Sequence, residues 1–445
     1  MNFTIMKRFF ATITLVFTLV AASVAQENIS SGAETARMRT MPHSSAENAE
    51  QMGDEAIASA YIRPITEWQQ SQDEEHIIFT STFVEPFTWI NRQVLLYVES
   101  ASGAYDVSIN GKEVGFTANN FTPTEFNITR HSQEQTNSIV IRIAKEHWSY
   151  RLNGFQKSAG PSLGEVFVFS QPTIRVRDIV HSASLDATGQ MANVSVGMVV
   201  KTESLNAKKA RIHYELVAMA DTTTVTYGHR DITLQMRGED TIKFMARIPR
   251  AALWSAEHPV RYRVNIMTQI EGRKAEFQSH PIGFRTVEQR DGKLFVNGRQ
   301  TSLFFAVCDP SHDFTAEITA ARERGKNAVH FTSPVVPQKA YRLCDSLGMY
   351  VVATMPINTS ESGSSRRIGG NESNNPQWTP IFIERSEAMW RSTCGFASVV
   401  AYALAEDSAN GIALYESYLH LKKLEKNRPI IYRDAAGEWN SDGIF

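Results

Sequence analysis

The sequence predicts a multidomain protein of β plus α/β class: an antiparallel β-sandwich, an immunoglobulin-like β-sandwich, and part of a (β/α) TIM-type barrel. Three observations carry this. Short alternating strands punctuated by turns, with no helical period, run from about residue 60 to 285. From about 286 the period changes to continuous apolar strands alternating with amphipathic helices, the pattern of a parallel sheet. The length of 445 residues suits roughly two to four domains.

The first segment, "MNFTIMKRFFATITLVFTLVAASVAQ", has Lys7 and Arg8, then an apolar run, then small residues ending at Ala25. It reads as a signal peptide over 1–25, because the run is short for a membrane span. The mature chain is expected to be secreted across the inner membrane, to the periplasm or beyond. Residues 26–59 are rich in Ser, Ala, Glu and Met without an apolar period, and read as a disordered leader.

Over 60–172, "QVLLYVES" and "AYDVSINGKEVG" are strands, the second turning at Asn110-Gly111, a strong hairpin signal. Over 173–285, "MANVSVGMVVK", "ARIHYELVAM", "TIKFMARI" and "VRYRVNIMTQI" suit an immunoglobulin-like sandwich without its disulfide. Over 286–445, "TSLFFAV", "NAVHF", "MYVVATM", "ASVVAYAL" and "PIIY" are strands. Between them "TAEITAARERG", "PQKAYRLCDSLG", "TPIFIERSEAMWRS" and "IALYESYLHLKKLEKN" are helices, the second opened by Pro337 and closed by Gly348. A full eight-fold barrel takes about 250 residues, so the barrel is expected to be truncated.

Lys plus Arg total 45 and Asp plus Glu 47, a formal net charge of −2. That balance leaves no electrostatic footprint for nucleic acid or an anionic membrane. Cys308, Cys344 and Cys394 cannot all pair internally, and free thiols are expected. No phosphate-cradling or dinucleotide glycine pattern occurs, so no cofactor is expected. His312 with Asp309 and Asp313 lacks strict ligand spacing, and no metal site is assigned.

Three stretches, "AYDVSINGKEVGFTANNFTPTEFNIT", "LWSAEHPVRYRV" and "GFRTVEQRDGKLFVNGRQ", together resemble glycoside hydrolase family 2, the β-galactosidase and β-glucuronidase family. The first resembles its sugar-binding jelly roll, and the second the close of its immunoglobulin-like domain. The third, the most specific match, is similar to the segment leading into its barrel. "RLCDSLGMYVV" and "NNPQWTPIFIERSEAMWRS" resemble parts of the barrel itself.

The resemblance implies a retaining β-glycosidase mechanism, which needs two carboxyl groups about 5 Å apart. The family's acid/base is the Glu of an Asn-Glu pair ending strand four; here "VVAYALAED" puts Glu406 at the Asn and Asp407 at the Glu. Aspartate is one methylene shorter, and a displacement of about 1 Å can cost on the order of a hundredfold in rate. No residue of the sequence corresponds to the family's nucleophile, a Glu ending strand seven. Glu438 and Asp442 read as solvated tail acids, and Glu372 of "GGNES" as a loop residue that only copies the family's letters.

Strand-end residues are eroded elsewhere. "CDPSHD" keeps His312 and Asp313, "FTSP" keeps Thr332 and Ser333, and Ala353 and Thr354 stand where the family has Asp-Glu. Two readings follow. The first is an exported, catalytically inactive family member acting in carbohydrate binding or assembly. Its carbohydrate contacts would be Trp148, His312, Asp313, Thr332 and Ser333, with Tyr105, Phe116 and Phe121 as further stacking aromatics weighed against a core role. The second is an active retaining β-glycosidase with Asp407 or Glu406 as acid/base. The tail, the immunoglobulin-like domain, a partner chain or a second copy in a homo-oligomer is expected to cover the open barrel edge at strand five.

Overall fold

The computed structural model describes residues 29–35, 37–155 and 160–443. The expected signal peptide lies outside the described residues. No described helix is long and apolar enough to cross a membrane.

The jelly roll pairs a six-stranded with a five-stranded antiparallel sheet. Alternating side chains, including Val107, Ile109, Ile139, Ile141 and Phe126, fill the space between them. The Asn110-Gly111 turn has φ of 51° and 73°, the left-handed pair that a two-residue hairpin loop requires. The second sandwich packs a three-stranded sheet on a four-stranded one. Its core includes Val194, Val196, Ile212, Leu216 and Val264, with Tyr214 stacked on Phe244 at 4.2 Å.

The third unit is a five-stranded, all-parallel sheet whose strands lie in chain order. These are β1 (Phe305–Cys308), β2 (Ala328–Phe331), β3 (Tyr350–Thr354), β4 (Val399–Ala403) and β5 (Ile430–Ile431). The helices between them are α1 (Phe314–Glu323), α2 (Gln338–Leu347), α3 (Thr379–Thr393) and α4 (Ile412–Leu424). Strands buried on both faces read as continuous apolar runs, which is how "ASVVAYAL" announces itself. Gly348 closes α2 at φ 76°, the left-handed cap a glycine supplies without penalty. Cys308, Cys344 and Cys394 are free thiols.

The two edges of this sheet differ. The tail covers β5: the Asp442 N–H donates to Ile430 O at 2.8 Å, and its carboxylate accepts from the Ile430 N–H at 2.8 Å. Among the described residues no strand pairs with the outer edge of β1, and Phe304 and Val307 are 60% and 69% exposed.

The leader expectation is corrected over the described part of 26–59. Residues 30–35 pair with the jelly-roll strands, and Ala46–Met52 is a helix capped by Ser45. Between them, residues 38–43 are buried. His43 pairs with Phe277 of the second sandwich through two backbone hydrogen bonds of 2.8 and 2.9 Å. Asp54 bridges to Arg342 of α2 at 2.9 Å, and Met38 lies over Gly395 beyond α3, where a Cβ would collide with it. The segment is a strap binding all three units together. Its composition lacks an apolar period because it has no core of its own.

Glu276 sits behind the strap, 1% exposed, accepting from Gln278 Nε2 at 2.9 Å. Burial pushes its carboxyl up to about 7, against the opposing effects of Arg92, Gln171 and Gln278. A carboxyl raised in the folded state loses its contribution as pH rises from the unfolded value through the folded one, here from about 4.5 to 7. Glu276→Gln is therefore expected to gain roughly 2–3 kcal/mol on the native protein between pH 4.5 and 8. Urea midpoints at the two pH values measure this; a constant difference would contradict it.

Candidate active site at the carboxyl ends of the barrel strands

Parallel strands present their carboxyl ends, and the loops that follow, to one mouth of the sheet. After β4, the Glu406 N–H donates to Ile357 O at 2.9 Å, tying the β4 loop to the β3 loop. Glu406 is partly buried, and that burial is the main reason its carboxyl is raised. A hydrogen bond from Asn358 opposes the rise, Asp407 adds to it and Arg433 opposes it. Asp407 points outward, 65% exposed at the side chain, and pairs with the guanidinium of Arg433, which also reaches Asp434. Arg433 follows β5 and lies 26 residues along the chain from Asp407. Sequence spacing did not identify it, or Asn358, as the partners of these two acids.

At the end of β1, Asp313 caps α1 by accepting from the Ala316 N–H at 3.2 Å. His312 is 68% exposed at the side chain, with its Nδ1 3.8 Å from Asp309. Asp309 is held below its usual range by the Ser311 hydroxyl and N–H. After β2, the Thr332 N–H donates to Cys308 O at 3.0 Å, and Ser333 Oγ accepts from the Val335 N–H at 3.2 Å. Thus Asp313 and Ser333 are occupied in holding local turns, while His312 and Thr332 are exposed. Among the described residues no hydrogen bond or ion pair joins these β1 and β2 groups to Glu406 or Asp407. No group of three or more His, Cys, Asp or Glu among them could hold a metal ion.

Two expectations are corrected here. Trp148 is not a free stacking platform. It is partly buried against the barrel core and meets Trp378 edge-on at 5.3 Å. Tyr105 and Phe121 are buried, at 1% and 4% exposure. The Trp148–Leu152 turn docks on α3, where buried Arg385 donates to Asn153 Oδ1 at 2.8 Å and Pro356 O at 2.8 Å.

The second correction concerns the acids. Glu372 is buried and ion-paired with Arg151 of the jelly roll. Its loop is ordered by Asn371, which bonds Thr359 and Gly363 O. The tail acids are not free either. Glu438 accepts from Asn410 at 3.1 Å and pairs with Arg366, and Asp442 pairs with Lys422 at 3.0 Å. Each is used to fix a loop.

Comparison with known proteins bears on all three units. The family model described as glycosyl hydrolase 2 galactose-binding domain-like matches residues 30–195. Those described as glycosyl hydrolases family 2, and as its TIM barrel domain, match 174–285 and 310–444. The chain is 23% identical over 382 residues to a β-galactosidase of Priestia megaterium, covering 80% of this chain and 36% of that protein. It is 24% identical over 369 residues to one of Lactobacillus delbrueckii subsp. bulgaricus, covering 76% and 34%. The chain thus spans about a third of the length of the curated relatives it matches.

Among solved structures, a putative β-galactosidase from Bacteroides fragilis superimposes with TM-score 0.69 at 16% identity, covering 84% of this chain and 58% of that one. A β-glucuronidase of Bacteroides uniformis gives 0.68 at 15%, covering 91% and 52%. These likenesses fix the fold: jelly roll, immunoglobulin-like sandwich and partial barrel.

Proposed function

This chain belongs to glycosyl hydrolase family 2, and from that premise we propose that it is an exported carbohydrate-binding or assembly protein without glycosidase turnover of its own. The observation that carries this reading is the setting of Asp407. A carboxyl that donates a proton to a leaving group near neutral pH works from a dry, apolar site. Asp407 instead lies in solvent, bound to Arg433. Its neighbour Glu406 takes the position where the family resemblance expects an amide, and two adjacent carboxylates repel.

The names of the relatives make β-galactosides and β-glucuronides the glycans to try, with His312 and Thr332 as exposed contacts at the strand ends. The assembly half of the reading draws on the open β1 edge, whose exposed Phe304, Phe305 and Val307 suit a second copy or a partner chain.

Affinity electrophoresis in gels containing β-galactan tests the binding half. Retarded migration without release of reducing sugar is expected. Release of sugar, or unaltered migration in every glycan tried, would count against it.

One observation favours a second reading. Burial raises Glu406, the property a general acid needs, so a retaining β-glycosidase with Glu406 or Asp407 as acid/base is the alternative.

A further inference from the structure

A cavity of about 330 Å³ lies between the second sandwich and the barrel segments that follow α3 and α4, away from the carboxyl ends of the strands. Its wall includes His181, Ser182, Arg285, Thr286 and Arg428, together with the carboxylates Glu288 and Glu425. Arg428 is fully engaged: its Nε donates to Glu425 at 2.7 Å, Nη2 to the same carboxylate at 2.5 Å and Nη1 to Cys394 O at 3.2 Å.

Arg285 is not. Its Nη2 donates to Phe396 O at 2.9 Å and Val399 O at 2.5 Å. Among the described residues Nε and Nη1 have no hydrogen-bond partner, and the guanidinium has no ion pair; Nε is buried. The Thr286 hydroxyl beside it is likewise buried without a partner.

The carboxylates nearby are committed elsewhere. Glu425 belongs to Arg428. Glu288 pairs with Arg290 at 3.5 Å. Asp345 accepts from the Ala397 and Ser398 N–H groups at 3.1 and 2.7 Å. A cationic fork and a hydroxyl with unused donors, at the wall of a polar cavity, match the demands of a tetrahedral oxyanion.

We propose that this cavity binds one small oxyanion of sulfate or phosphate size, held by Arg285 and Thr286. The positive field there has a second witness. After burial, Arg285 and then Arg428 are the groups that hold the His181 imidazole neutral, down to about 3. A bound oxyanion adds to the partial compensation that Asp345 and Glu425 give the Arg285 charge. The site is independent of the strand-end carboxylates and of the proposed loss of turnover.

Calorimetric titration of the full chain with sodium sulfate and with sodium phosphate, against sodium chloride at equal ionic strength, tests it. Saturable binding of one ion per chain is expected, each oxyanion competing with the other and chloride giving no saturation. A third arm with galactose 6-sulfate identifies the source. Tighter binding than inorganic sulfate marks a sulfated sugar as the ligand, and weaker binding marks the free ion.

Arg285→Lys, which keeps the charge but loses the fork, is expected to weaken binding about tenfold. Ser182→Glu puts a carboxylate at the cavity wall and is expected to abolish binding while leaving the thermal midpoint in chloride unchanged or higher. Should Arg285→Lys fail to fold, Ser182→Glu decides alone. Heats no larger than those of chloride, or binding undiminished in Ser182→Glu, would overturn the proposal.

Discussion

Replacing Arg39 by methionine is expected to destabilise the protein by about 3–5 kcal/mol, the cost of removing one partner from a buried ion pair. Arg39 is 4% exposed and lies in the strap, far in sequence from everything it touches. Its Nε donates to Tyr97 Oη at 3.2 Å, and its Nη2 to Glu99 at 3.3 Å and to Glu165. The guanidinium also lies over the Tyr97 ring, 4.7 Å from its centroid.

Glu99 has a second task, since its Oε1 accepts from the Gln338 N–H at 3.1 Å, the first residue of α2. Pro337 provides no side-chain cap, so a carboxylate from the jelly roll supplies the negative charge that the start of a barrel helix favours. Removing Arg39 leaves Glu99 and Glu165 together without their main counter-charge; Lys339, 3.4 Å from Glu165, is half exposed and compensates poorly. Urea unfolding followed by tryptophan fluorescence measures the loss. The triple change Arg39→Met, Glu99→Gln, Glu165→Gln should recover much of it, because no buried charge is then unpaired. A loss below about 1 kcal/mol, the range of a surface pair, would mean that the strap is ornamental.

The second large effect is at Trp254, in the Leu-Trp-Ser segment that closes the second sandwich. Trp254→Ala is expected to cost about 3–5 kcal/mol. The side chain is fully buried and meets Tyr350 of β3 edge-on at 5.7 Å. Its Nε1 donates to Asp345 O at 2.8 Å. That carbonyl lies in the last turn of α2, where helices leave acceptors without an internal partner. A single indole therefore fills the seam between two units and satisfies a helix end.

Gly283 explains why the seam is tight, because a Cβ there would lie 2.7 Å from Ala397 Cβ and 3.0 Å from the Trp254 ring. Trp254→Phe separates the two roles. It keeps most of the packing and should cost about 1–3 kcal/mol, the penalty for one unsatisfied buried acceptor. Equal losses for Phe and Ala in chemical denaturation would show that packing contributes little.

Periodicity made most of the fold legible. The change from alternating to continuous apolar strands near residue 286, the Asn110-Gly111 hairpin and the glycine closing α2 are local signals with local causes. The strap was not legible, because Arg39, His43 and Asp54 are buried only by partners brought from three separate units. Trp148 misled for the same reason: its loop follows a strand and reads as exposed until α3 docks on it.

At the strand ends, Glu406 and Asp407 could be located by their place after an apolar run. Their environments could not, since Asn358 and Arg433 arrive from the loops after β3 and β5. Glu372 shows the converse, a motif matched by its letters that the fold uses to join two units.

The most direct test of a family member without turnover is hydrolysis of chromogenic β-galactosides and β-glucuronides by the purified chain, set beside Asp407→Asn and Glu406→Gln. A general acid contributes about 10²–10⁴ in rate, so its removal is unmistakable. Absorbance in all three samples is predicted to stay at the uncatalysed rate. Turnover by the native chain that collapses in either variant would contradict it.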